Sequence, residues 1–280
     1  MLTIDTHLHT SNNRYEPIEV CLFQMNRCDV DKATLLVSRS ISDLSRGTHD
    51  NAYCIESMRR FPGRFSVICC VDTSQPDALE KLSHWAKEGA EGVRLYVSER
   101  SPGKDPLAIW KRANELKLVV SCPGTTLETG GPEFRKIIET FPDMPIIVEH
   151  LGVMKELLKV SWWSNPEPPY TDFKKVLALS KYPNVYMKLT GLGEYMRMSV
   201  PYHVPVFQMK DVPPFMDMAI EAFGPRRLMI GSDFPPVSSR EGYANVWNFL
   251  REYLKRLSRR DQAAIFGETA ASLFAFGQKK

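Results

Sequence analysis

Short, almost uninterrupted apolar runs alternate along this chain with longer stretches of mixed polarity. Those runs are rich in β-branched residues and predict eight strands: Leu2–Thr6, Thr34–Ser38, Phe65–Val71, Gly92–Tyr96, Leu118–Cys122, Ile146–His150, Val185–Leu189 and Leu228–Gly231. Continuous hydrophobicity, rather than strict alternation, marks parallel strands covered on both faces. The stretches between them carry helix signals. Asn51–Arg60 stops before Phe61-Pro62-Gly63, Gln75–Glu88 stops at Gly89, and Asp105–Lys117 has a proline in its first turn. Helices after nearly every strand favour closure into a (β/α)8 TIM barrel. The open, doubly wound sheet would carry a glycine-rich first turn, where this chain has Thr6-His7-Leu8-His9. The expected fold is an α/β class, single-domain barrel over 1–280.

Two connections exceed what a barrel needs. Leu151–Thr171 contains Trp162, Trp163 and the turn-rich Asn165-Pro166-Glu167-Pro168-Pro169, and Gly191–Pro214 carries Met196, Met198, Tyr202 and His203. Both follow a strand and so belong to the face where barrel enzymes hold substrate. They read as pocket walls or lids, or as contacts between copies in a homo-oligomer.

Composition narrows the function. A 43% hydrophobic, 25% charged chain of 280 residues has the balance of a large globular domain, and its net charge of +3 is spread without a basic tract. A small-molecule substrate is expected rather than nucleic acid. No window approaches the roughly 20 apolar residues of a membrane span, and no leader-like segment opens the chain. The six cysteines lie mostly inside apolar runs without a CxxC pair. They read as reduced, buried thiols, which places the protein in the cytoplasm.

Strand alternation puts Thr3, Asp5, His7 and His9 on one face of the first strand and Leu2, Ile4, Thr6 and Leu8 on the other. The apolar face suits the helices, so both histidines are expected to point toward the barrel axis. Two imidazoles two residues apart can converge on one cation or one carbonyl oxygen. Two distant strand ends support them: His150 after Ile146-Ile147-Val148-Glu149, and Asp233 after Leu228-Met229-Ile230-Gly231-Ser232. Arg94, near the end of the fourth strand, suits a bidentate grip on a substrate carboxylate or a structural ion pair. Lys188 can face the barrel mouth and bind substrate, or snorkel to the rim. His49-Asp50-Asn51 reads as a helix cap, and Tyr15, Arg39 and Asp72 fall near strand ends.

Together these segments resemble a known family. Asp5-Thr6-His7-Leu8-His9, Glu149-His150-Leu151-Gly152, Lys188-Leu189-Thr190-Gly191-Leu192, Gly231-Ser232-Asp233-Phe234-Pro235 and Ile265-Phe266-Gly267-Glu268-Thr269-Ala270 are similar to the signatures of the amidohydrolase 2 branch of the amidohydrolase superfamily. Within it the chain resembles the lactonases that include the 2-pyrone-4,6-dicarboxylate and sugar-acid types. More distant relatives are zinc-dependent decarboxylases of the aminocarboxymuconate semialdehyde type. The resemblance implies a hydrolase that opens a small carboxylated or sugar-acid lactone. Asp233 would activate water, and His150, His7 and His9 would polarise the carbonyl and serve the leaving group.

It implies two cofactor arrangements. A divalent metal, zinc being the best match, would be held by His7, His9 and Asp233; Cys122, where the decarboxylases have a fifth-strand histidine, is either a fourth ligand or an inert buried thiol. The pyrone lactonase type instead works without metal. The binuclear subtype is disfavoured, because Arg94 stands where such enzymes place a bridging lysine. Competing readings are a metal-dependent decarboxylase of an unsaturated acid and a barrel that has kept only a binding role.

Overall fold

The computed structural model describes residues 1–12, 15–38, 50–153, 168–192, 214–239 and 241–278. The two long connections, Arg39 and His49 fall wholly or largely outside these residues.

Eight parallel strands lie side by side in chain order: β1 (Ile4–Leu8), β2 (Lys32–Leu36), β3 (Phe65–Cys69), β4 (Gly92–Arg94), β5 (Val119–Cys122), β6 (Ile146–Val148), β7 (Val185–Leu189) and β8 (Leu228–Ile230). All eight predicted strands are present, Val185–Leu189 with its predicted bounds and the other seven shifted or shortened by a few residues. The last strand returns to the first to make a nearly closed barrel. Leu8 bridges Phe234 in parallel, Asp233 N–H donates to the His7 carbonyl at 2.9 Å, and His9 N–H donates to the Phe234 carbonyl at 2.8 Å.

The helices follow their sequence signals. α1 (Ile18–Arg27) is followed by α2 (Asn51–Arg60), which has the predicted bounds. α3 (Ala78–Glu88) stops at Gly89, whose φ of 116° only glycine adopts without strain. α4 is Ala108–Glu115, α5 Thr126–Thr129, α6 Pro132–Thr140 and α7 Thr171–Leu177; α8 is Phe215–Phe223, α9 Tyr243–Tyr253, α10 Arg259–Ala263 and α11 Thr269–Leu273. The α2 cap differs from expectation. Asp50 makes no capping bond, and the Asn51 amide instead clamps the Cys70 backbone, donating to its carbonyl at 2.8 Å and accepting from its N–H at 3.0 Å. No helix among the described residues is long and apolar enough to cross a membrane.

The core has two parts. Outward side chains such as Leu35, Val67, Val93, Val120 and Met187 pack under the helices, against Trp110, Phe134, Phe173 and Trp247. Inward side chains Ile4, Leu36, Ile68, Val119, Ile147 and Met229 fill the lower barrel, which Ala270, Phe274 and Phe276 close from below. Glu91 pins that plug by accepting from the backbone N–H groups of Ala275, Phe276 (3.3 Å) and Gly277 (2.8 Å).

Simple alternation fails in β1. Asp5 pairs with Ala33 but Leu8 with Leu35, so three steps on β1 match two on β2, which is a bulge. The face therefore resets between them. Asp5 turns outward to Tyr243 on α9, contrary to the expectation that it shares the histidines' face. Ile4, expected outside, points into the barrel.

Candidate active site

His7 lies in the bulged stretch of β1 and His9 directly follows that strand, His150 follows β6, and Asp233 follows β8. All four are buried, and they converge. Asp233 Oδ1 lies 3.7 Å from His7 Nε2 and 3.6 Å from His9 Nε2, and the His7 ring centroid is 4.9 Å from that of His9 and 4.7 Å from that of His150.

The backbone is bent to achieve this. His150 (φ 48°), Leu151 (φ 56°) and Asp233 (φ 61°) occupy the left-handed region, a conformation costing on the order of 1–3 kcal/mol each that persists where the surroundings enforce it. Asp5 is one enforcer. Its Oδ1 accepts from the His7 N–H at 3.1 Å and the Ser232 N–H at 2.9 Å, while Oδ2 accepts from the Tyr243 hydroxyl at 3.1 Å. One carboxyl thus ties the bulge in β1 to the residue before Asp233. Gly231 is another: a Cβ there would lie 2.4 Å from His7 Cβ and 2.5 Å from Thr190 Oγ1. Only glycine lets β8 approach His7 this closely.

Each ring has its own setting. His9 Nδ1 lies 2.8 Å from the Leu36 carbonyl and its face stacks on Tyr15 at 5.1 Å. Because a carbonyl only accepts, Nδ1 carries the proton in neutral His9, and the Nε2 lone pair faces the Asp233 carboxylate. Two acceptors at 3.6 Å repel unless a cation or a proton lies between them. Neither nitrogen of His7 has a hydrogen-bond partner among the described residues, although the ring is fully buried. Burial, followed by the charge of Lys188, holds His7 well below its ordinary pKa and keeps the ring neutral.

A divalent cation fits this donor set. His7, His150 and Asp233 offer ligand atoms within 4.8 Å of one another, and His9 reaches the same carboxylate oxygen. Two or three neutral imidazoles with one carboxylate match a catalytic zinc site that keeps a position open for water. Cys122 does not join it. Its side chain points into the outer core, burial pushes its thiol well above the ordinary range, and Ser121 takes the inward position on β5. Of the two readings of Cys122, the structure agrees with the buried thiol: the strand parity that places Ser121 inside puts Cys122 outside.

Beneath the centre lies a charged network that sequence reasoning only partly foresaw. Arg94 gives its Nε (3.1 and 3.2 Å) and Nη2 (2.6 Å) to the Glu149 carboxylate. Ser121 Oγ donates to Glu149 Oε1 at 2.7 Å, and Lys188 Nζ donates to Ser121 Oγ at 3.1 Å. Arg94 thus makes a structural ion pair, with Nη1 outside it, and Lys188 faces inward without snorkelling. Glu149, Ser121 and the Asp5 brace were missed as functional parts. Glu149 stood in the motif beside His150, and inward parity with Val119 was the available signal for Ser121.

A sequence profile of the amidohydrolase family matches residues 4–276, nearly the whole barrel. The chain belongs to the amidohydrolase family. As an amidohydrolase it is 32% identical to L-fucono-1,5-lactonase of Burkholderia multivorans over 75% of its own length and 71% of the relative's. It is 26% identical to 4-sulfomuconolactone hydrolase of Hydrogenophaga intermedia over 70% of its own length and 58% of that relative's. The chain thus spans less than two thirds of the hydrolase, and 42% of a further curated relative. Among solved structures, an amidohydrolase from Burkholderia multivorans with bound zinc superposes with a TM-score of 0.74 at 19% identity, over 98% of this chain and 99% of that one, which speaks for the shared fold.

Proposed function

We propose that this amidohydrolase opens a small lactone, of the sugar-acid or carboxylated kind, by attack of an activated water on the ring carbonyl. The observation that carries this reading is Asp233 Oδ1 lying within 3.7 Å of the imidazole nitrogens of both His7 and His9, at the barrel end where strand-following residues collect. The lactone names of its relatives support the substrate class.

Water attack needs a base, stabilisation of a growing negative oxygen, and a proton for the departing alkoxide. Asp233 is the base: it takes the water proton as the C–O bond forms. The neutral His7 ring lines the same pocket, where its N–H, without a partner among the described residues, stabilises the tetrahedral oxyanion, while His9 presents Nε2 to the same centre. His150, across His7, protonates the leaving alkoxide. Arg94 Nη1, the part of the guanidinium not given to Glu149, orients a substrate carboxylate. A divalent ion, zinc by its donor set, would be held by His7, His150 and Asp233 with His9 adjoining; when bound it would polarise the carbonyl and acidify water. The six cysteines are free and buried, which supports a reducing compartment, the cytoplasm.

The test is ring opening followed by proton release in weak buffer, across a panel containing L-fucono-1,5-lactone, other sugar-acid lactones and carboxylated lactones. Opening of at least one by the wild type is expected. Asp233→Asn should lose about a thousandfold or more in kcat while keeping the wild-type melting temperature. Retained turnover in D233N removes Asp233 as the base. Carbon dioxide release from an unsaturated acid, with no lactone opened, replaces this reading with the decarboxylase one.

A further inference from the structure

Lys188 stands apart from the roles already assigned. On β7 it faces the barrel interior, with its side chain fully buried, below His9, His150 and Asp233, each of which keeps slight exposure. Its Nζ donates to Ser121 Oγ at 3.1 Å, and that hydroxyl passes on to Glu149 at 2.7 Å. Glu149 is already matched by Arg94, so the network holds two cations and one carboxylate. Burying an ammonium without its own counter-ion is strongly unfavourable unless a negative charge lies within reach. Burial pulls the Lys188 pKa down to about 8, against the opposing pull of the Glu149 and Asp5 carboxyls. Thr190, two residues on and of the same strand parity, meets His7 at Gly231, where a Cβ would lie 2.5 Å from Thr190 Oγ1 and 2.4 Å from His7 Cβ, so Lys188 lies one inward layer beneath the reacting centre.

We propose that Lys188 is a positioning residue whose charge, applied from beneath without touching substrate, favours a negatively charged occupant of the His7, His150 and Asp233 centre and disfavours a divalent cation. The negative occupants are Asp233 itself, hydroxide, and the oxyanion that forms as a lactone is attacked. Negative charge appears on the carbonyl oxygen only as the lactone is attacked, so a cation fixed beneath the centre stabilises that oxyanion more than it does the uncharged carbonyl of the bound lactone. Such preorganised charge acts on the transition state rather than on ground-state binding. The structural alternative makes Lys188 a mere counter-ion of Glu149, a role Arg94 already fills with three close contacts.

The experiment uses Lys188→Met, similar in length and without charge. Zinc affinity of metal-stripped protein, read by competition with a chromophoric chelator, should become at least about tenfold tighter in K188M. Lys188→Arg, which keeps the charge, should bind zinc as the wild type does. For a lactone that the wild type opens, kcat in K188M should fall about a hundredfold, with KM within about threefold. The proposal is overturned if K188M binds zinc no more tightly than wild type, including the case in which neither binds. It is equally overturned if K188R matches K188M, or if the kinetic loss sits in KM. Should K188M fail to fold, Lys188→Gln removes the charge while keeping a donor for Ser121, and the same comparisons apply. The kinetic arm rests on the lactonase reading, whereas the zinc arm needs no substrate. A wild type that opens no lactone therefore defeats that reading while the zinc comparison still decides the role of Lys188.

Discussion

Replacing Arg94 by methionine removes one half of a fully buried ion pair and leaves the other in place. Burial alone would push the Glu149 carboxyl up, but Arg94, then Lys188, more than reverse this and hold it at about 2 against an ordinary 4.5. At about 1.4 kcal/mol per pH unit, that displacement corresponds to about 3 kcal/mol of folding stability at neutral pH. Lys188 and Ser121 would keep a share of it. Against that, a carboxylate left without its main partner typically costs about 3–5 kcal/mol. We therefore expect R94M to lose about 3 kcal/mol in urea unfolding at pH 7. The folded carboxyl titrates below the unfolded one, so its contribution is complete above about 4.5 and lost as the pH falls toward about 2. The gap between wild type and R94M should accordingly narrow on acidification. A loss below about 1 kcal/mol at pH 7, or a gap that widens in acid, would refute the view that this pair anchors the strand end before His150.

Two further outcomes test the scaffold. Gly231→Ala forces a Cβ to within 2.4 Å of His7 Cβ, and should cost about 1–3 kcal/mol in chemical denaturation together with most of the activity; wild-type behaviour would show that β8 can back away from His7. Deleting the chain from Phe274 onward removes two buried rings from the barrel floor, and at about 1.5–3 kcal/mol each should lower stability by about 3–6 kcal/mol; an unchanged melting temperature would mean that the plug does not close the core.

The fold was legible because parallel strands buried on both faces write themselves as solid apolar runs, and eight such runs with helices between them leave few architectures. The site was legible where a polar residue interrupts such a run at its end, as His150 and Asp233 do. Other features escaped because they depend on register. A bulge is invisible in a pattern that only counts alternate positions, so Asp5 was assigned to the histidines' face although it braces the opposite one. Cys122, ending its strand, could be read as a ligand or as a buried thiol, and one step of parity decides that Ser121 points inward instead. Arg94 offered two readings, and only the placement of Glu149 two strands along the barrel wall shows how the guanidinium is engaged.

These corrections share a physical cause that also explains how the centre is held. The barrel closes where β8 meets β1, and its contacts there are the ones that shape the site: Asp233 N–H to the His7 carbonyl, His9 N–H to the Phe234 carbonyl, Thr6 Oγ1 to the Ile230 carbonyl at 2.7 Å, and the Asp5 carboxyl to Ser232. The distance from Asp233 to both imidazoles is thus set by backbone hydrogen bonds across a sheet seam, which vary far less than loop conformations. The bulge in β1 is what lets that seam close with His7 and His9 turned inward and Asp5 turned out. Assembly of the reacting groups and closure of the barrel are, in this chain, one structural event.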